Sequence, residues 1–182
     1  MKRTLLIVSV VIAVAFLAYS QSPRKAPSRE SPFTVPPKGK SRAYVLQPDE
    51  GEVLARNGGI IKVSPQSGSQ RLALVVSPLP KGRRISVHMH EHEDEVFFAH
   101  KGRGVAVLND ERTPIEEGSV IYIPQGTWHS IESSEDMQLV WLTSPPLYVE
   151  LHRMLFNPGG LEPPKEEGDR LMRKYGFRVK TP

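Results

Sequence analysis

The chain has 182 residues, of which 38% are hydrophobic, with 17 prolines and 14 glycines, enough for one domain plus extensions and short of two full domains. Cysteine is absent, which excludes a disulfide framework, a thiolate metal site and a cysteine nucleophile, so any metal must be held by nitrogen and oxygen. The formal charge of +4 forms no basic stripe interleaved with aromatics, and no nucleic-acid partner is expected.

Met1-Lys2-Arg3-Thr4 is a positive start, Leu5 to Tyr19 is an almost unbroken apolar run, and Ala18-Tyr19-Ser20 sets small residues where a signal peptidase reads. The fifteen residues of that run reach about 22 Å as a helix, short of the roughly 30 Å hydrocarbon core of a bilayer. Residues 1–20 therefore read as a cleaved signal peptide and the protein as exported, periplasmic or secreted. Arg24 and Lys25 follow closely, and positive charge just after a signal opposes translocation. An uncleaved anchor, with membrane attachment, is the alternative. Residues 21–42, rich in Pro, Ser and basic side chains, read as a linker that cannot bury enough apolar surface to order itself.

From Ala43 onward, short apolar runs alternate with turn signals. Arg71 to Leu79 carries Leu72, Leu74 and Val76 on one face and ends at Pro78 and Pro80. Ile85 to His90 follows Lys81-Gly82, and Glu95 to His100, Gly104 to Leu108, Val120 to Ile123 and Gln138 to Thr143 come after it, each closed by Gly, Pro or Asn-Asp. Strands of this length and spacing predict an all-β barrel or sandwich over residues 43–144, uninterrupted by helix. Residues 145–182 form an extension. Within it, Pro164 to Tyr175 has Glu166, Glu167 and Asp169 early and Arg173 and Lys174 late, the charge order a helix dipole favours, and Gly176 fits its stop.

One constellation carries chemistry. Alternate side chains of a strand face the same way, so His88 and His90 project together. Glu95 opens the return strand after an acidic turn through Glu91, Glu93 and Asp94, and His129 follows the Pro124-Gln125-Gly126 turn. Three imidazoles and a carboxylate suit iron(II), manganese, nickel, copper or zinc better than calcium or magnesium. Four such ligands on an octahedral ion leave two positions open.

The spacings Gly82-x5-His88-x-His90-x4-Glu95-x6-Gly102 and Gly118-x5-Pro124-x-Gly126-x2-His129 resemble the two motifs of the cupin superfamily, type-2 conserved barrel. Fifteen residues separate them, and Ser133 stands where the family often has asparagine, a position that is not a ligand. The resemblance covers about Ala43 to Thr143. It implies a jelly-roll β-barrel, often dimeric, with one divalent metal on His88, His90, Glu95 and His129, here completed by one short C-terminal helix. A weaker likeness links Asn157 to Glu162, the helix and Tyr175-Gly176-Phe177 to tails of small quercetin-dioxygenase-like cupins.

Set against ordinary structural roles, the joint spacing favours metal binding for the four residues, with Glu95 also the candidate catalytic proton acceptor. Phe97, Tyr122, Trp128 and Trp141 are candidate pocket residues that also read as core. His92 and His100 are expected to face solvent, His152 to be plain surface, and the Glu91-to-Glu95 run to be a solvated hairpin. Gly82, Gly102, Gly118 and Gly126 read as turns. The expected function is a metal-dependent oxidoreductase of dioxygenase type, with Fe2+ the first choice, acting on a small organic molecule. A non-redox isomerase or lyase on a sugar or small acid, and a non-catalytic module that binds a small ligand or metal, are the alternatives.

Overall fold

The computed structural model describes residues 42–54, 58–156 and 163–180. The expected signal peptide or anchor, the linker up to Ser41, and the Asn157–Glu162 stretch lie outside the described residues. Among the described residues, no helix is long and apolar enough to cross a membrane.

The strands run in chain order as β1 (Glu52–Val53), β2 (Ile60–Val63), β3 (Ala73–Leu79), β4 (His88–His90), β5 (Asp94–Lys101), β6 (Gly104–Leu108), β7 (Glu111–Ile115), β8 (Val120–Ile123), β9 (His129–Ser133) and β10 (Met137–Ser144). Helix α1 (Leu147–Leu155), helix α2 (Lys165–Lys174) and a last strand β11 (Phe177–Val179) complete the chain. Two antiparallel sheets result: β1-β2-β3-β10-β5-β8 with six strands and β11-β4-β9-β6-β7 with five.

Neither sheet closes, and this corrects the expected jelly-roll barrel. Among the described residues, β1 and β8 remain edges of one sheet and β7 and β11 edges of the other. Periodicity shows which face of a strand is buried; it does not show whether end strands pair. The single expected helix is also corrected to two. Pro145 and Pro146 end β10 as read, but they also lead into α1, a place where proline's fixed φ and missing N–H are tolerated.

The inward faces of the sheets share one core. Val75, Phe97, Ala99, Ile121, Ile123, Leu139 and Trp141 enter it from the six-stranded sheet, and Ala106, Ile115 and Ile131 from the other. Each large apolar side chain so buried contributes about 1.5–3 kcal/mol. On β3 the inward residues are Ala73, Val75, Ser77 and Leu79, while Leu74 and Val76 are half-buried on the opposite face. Polar Ser77 is on the inward face because its Oγ accepts the buried indole N–H of Trp141 at 3.1 Å. The β6–β7 hairpin turns at Asn109 and Asp110, with φ of 46° and 73°, as a tight two-residue turn requires. A smaller cluster of Leu151, Leu155 and Leu171 joins α1 to α2, with Tyr148 and Phe177 packed against it.

Candidate metal centre

Three imidazoles come from the five-stranded sheet and one carboxylate from the six-stranded sheet. On β4, His88 and His90 are buried and Met89 between them is half-buried, the two-residue period of a strand. His129 opens β9 directly across the ladder from His88. Glu95, on β5, faces them between Thr143 of β10 and Ile123 of β8.

The structure brings all four together, each buried, with one donor atom from each within 4.8 Å of the others. Glu95 Oε2 lies 2.9 Å from His129 Nε2 and 3.4 Å from His90 Nε2. The outward ring nitrogens are all occupied. Nδ1 of His88 meets the Ser86 carbonyl at 2.7 Å, Nδ1 of His129 the Thr127 carbonyl at 2.9 Å, and Nδ1 of His90 the Glu93 carboxylate at 2.6 Å. A carbonyl or carboxylate there holds the proton on Nδ1 and turns the Nε2 lone pair inward.

At the centre, His90 Nε2, Glu95 Oε2 and His129 Nε2 are buried without a hydrogen-bond partner. Buried polar atoms are ordinarily satisfied, and convergent electron-pair donors repel unless a cation or proton lies among them. The donor set therefore fits a divalent cation held by His88, His90, Glu95 and His129. Imidazole and carboxylate donors suit first-row transition metals.

Charge at the centre follows the same geometry. Burial, reinforced by neighbouring His129, pushes His88 down to about 3 against the pull of Glu95. Burial also disfavours a charged His90, yet the Glu93 and Glu95 carboxylates on either side outweigh it and push its pKa up to about 9. For Glu95, burial would raise the pKa, but the His129 and His90 imidazoles that face its carboxylate hold it below the usual carboxylate range.

The other expected residues fall variously. Phe97 and Trp141 are in the shared core, 3% and 4% exposed. Tyr122 is 58% exposed on the outer face, its hydroxyl donating to Asp94 at 3.2 Å. Inward Ile121 and Ile123 flank it, so its parity sends it out. Trp128 is half-buried, and its backbone N–H donates to Asn109 Oδ1. His92 and His100 are exposed. His152, read as surface, is 3% exposed; it lies on the buried face of α1, its ring between those of Tyr148 one turn earlier and Phe156 one turn later. Ser133 Oγ accepts the Arg83 N–H and contacts the carbonyls of Pro80 and Arg83, tying β9 to the loop before β4.

The solvated-hairpin reading fails at Glu93, which is 3% exposed. Besides its contact with His90, it accepts the backbone N–H groups of Leu147 and Tyr148 at 2.8 and 3.0 Å. The Tyr148 ring lies 5.2 Å from that of His90 and stacks on Phe177 at 5.0 Å. Phe177 itself lies 5.1 Å from His88 and 5.3 Å from His90. It gets there because β11 pairs with β4, setting Phe177 opposite His90.

Residues 75–145 match the family model of the cupin domain, and the chain carries a cupin-superfamily domain. It is 36% identical over 64 residues to an oxalate-binding protein of Thermotoga maritima, covering 35% of this chain and 53% of that one. It is 29% identical over 118 residues to quercetin 2,3-dioxygenase of Bacillus subtilis, covering 63% of this chain and 35% of the enzyme. The chain thus spans about half the length of the first relative and about a third of the second. Among solved structures it is similar to salicylate 1,2-dioxygenase of Pseudoaminobacter salicylatoxidans, with a TM-score of 0.47 and 22% identity over 56% of this chain and 31% of that one. The buried His/His/Glu/His cluster is consistent with catalytic, metal-dependent cupin activity.

Proposed function

We propose that the chain is a metal-dependent oxidoreductase of dioxygenase type acting on a small organic substrate that offers two adjacent oxygens, such as a flavonol-like or enediol compound. The observation that carries this reading is the convergence of unpartnered His90 Nε2, Glu95 Oε2 and His129 Nε2 in a buried cluster with His88. The similarity to quercetin 2,3-dioxygenase supports the substrate class. A divalent metal in this site, Fe2+ by preference, supplies Lewis acidity and redox capacity.

The chain's own residues do the rest. His88, His90 and His129 present ring nitrogens with fixed orientation, because each Nδ1 is anchored. Glu95 is the one anion among the four, and its carboxylate is the group placed to take a proton from a bound hydroxyl. Phe177 and Tyr148 keep water from the β4 side of the imidazoles.

The test has two steps. Metal analysis of protein purified from its native compartment should find a redox-active first-row ion. Oxygen uptake with flavonols or enediols should then depend on that ion. The similarity to an oxalate-binding protein favours a second reading, small-acid binding without turnover. Oxalate bound tightly by metal-loaded protein, with no oxygen consumed for any candidate, would replace the first reading by the second.

A further inference from the structure

Glu93 lies in a run of acidic residues yet is as buried as the histidine it adjoins, 3% against 4% for His90. Burying a carboxylate costs several kcal/mol unless its oxygens are satisfied. Here both are, by two different parts of the molecule. Oε1 meets His90 Nδ1 at 2.6 Å. Oε2 accepts from the first two amides of α1, Leu147 and Tyr148, the former shared with the Pro145 carbonyl. The residue before this helix is Pro146, which makes no side-chain cap, so Glu93 takes the place of one.

We infer that Glu93 is a positioning residue that holds His90 for the metal and, through the same carboxylate, fastens α1 and Tyr148 beside that ligand. The inference rests on the metal reading above. Its physical content is that a metal ligand and the aromatic wall next to it share one anchor. Loosening either end of Glu93 frees a part of the site that the other end does not hold.

A carboxylate can serve both ends because both its oxygens accept. An amide cannot. In Glu93→Gln one end becomes an NH2 donor, facing either the Nδ1–H of His90 or the N–H groups of α1. One connection is lost whichever way the amide turns.

The experiment compares wild type, Glu93→Gln and the control Glu91→Gln, whose carboxylate pairs with Arg178 outside the cluster. Three quantities are read: Zn2+ affinity by chelator competition, the EPR spectrum of the Cu2+-loaded protein, and hydrogen exchange of the α1 amides. Glu93→Gln is expected either to weaken Zn2+ binding about 10–100-fold and alter the copper spectrum, or to speed exchange at Tyr148 at least about tenfold, as loss of about 1.4 kcal/mol of local protection would. Glu91→Gln should match wild type. A folded Glu93→Gln protein with wild-type affinity, spectrum and exchange overturns the inference.

Should Glu93→Gln not fold, the zinc-loaded wild type decides by nitrogen-15 NMR. His90 as the Nδ1–H tautomer with a slowly exchanging proton supports the assignment, and His90 as the Nε2–H tautomer overturns it. Failure of wild type to take up any divalent metal sinks the metal reading instead. The α1 exchange comparison then still judges whether Glu93 fastens the helix.

Discussion

His88 of β4 and His129 of β9 face each other as a cross-strand pair, their ring centroids 4.1 Å apart. That one register pair joins the two halves of the sequence motif, and Glu95 approaches it from the other sheet. Because His88 and His129 are both buried members of the four-residue donor set, removing either leaves a gap in it.

His88→Ala and His129→Ala are therefore each expected to lose stoichiometric metal, whereas His92→Ala and His100→Ala, both at exposed positions, keep it. Elemental analysis of the purified variants checks this. Thermal unfolding gives an independent readout: metal at a hundred times its Kd stabilises the folded state by about 2.7 kcal/mol, and the two ligand variants should show none of that gain. Full metal occupancy in either ligand variant would refute its assignment.

The pH dependence follows from His90. Its folded pKa of about 9 lies above the ordinary 6.5, so in metal-free protein its proton stabilises the fold fully below pH 6.5, and that contribution is lost as pH rises through about 9. A metal taking Nε2 must displace the same proton. His88, at about 3, has none to give in this window. Metal affinity should thus rise between about pH 7 and 9 with release of one proton, while metal-free protein loses stability. Calorimetry in buffers of different ionisation enthalpy counts the proton, and a pH-independent affinity would contradict the ordering.

The four-residue cluster was legible in the sequence because strand parity and two spaced motifs suffice to place His88, His90, Glu95 and His129. What escaped depends on contacts made across long stretches of chain. Glu93 resembles its acidic neighbours until α1 folds over it, and α1 begins 54 residues later. His152 reads as surface until α1, the helix that carries it, buries that face. Strand β7 was missed because four of its five residues are exposed and one is Pro114, so it lacks the alternation that marks a half-buried strand. Closure of the sheets was misread for the reason already evident in β8 and β11: pairing at an edge leaves no periodic trace in the strand itself.

The motif glycines are alike in sequence and unlike in surroundings. At Gly102, φ is +83° and an added Cβ would lie 2.4 Å from the Asp136 carbonyl oxygen and 2.9 Å from Met137 Cα, backbone that cannot swing away. Gly118 has φ of +91° with nothing within 4 Å. Gly118→Ala should cost only the left-handed strain, about 1–2 kcal/mol. Gly102→Ala adds a backbone displacement and should cost about 3 kcal/mol or more. Denaturant unfolding compares them; equal losses would show that the Asp136 contact yields freely.

Trp141 was a candidate pocket residue, and its place in the core makes a different prediction. Its Nε1–H has Ser77 Oγ as acceptor on the inward face of β3. Ser77→Ala removes that acceptor and strands a buried donor, a loss of about 1–3 kcal/mol. Trp141→Phe removes the donor along with part of the ring, so Ser77→Ala made on top of it has no indole N–H left to orphan. The double variant should accordingly be more stable than the sum of the single losses implies, by about 1 kcal/mol. Metal content should stay at the wild-type level throughout, because neither residue is among the four that converge. Strict additivity would mean that the indole finds water in place of Ser77, and metal loss in Trp141→Phe would return Trp141 to the wall of the site.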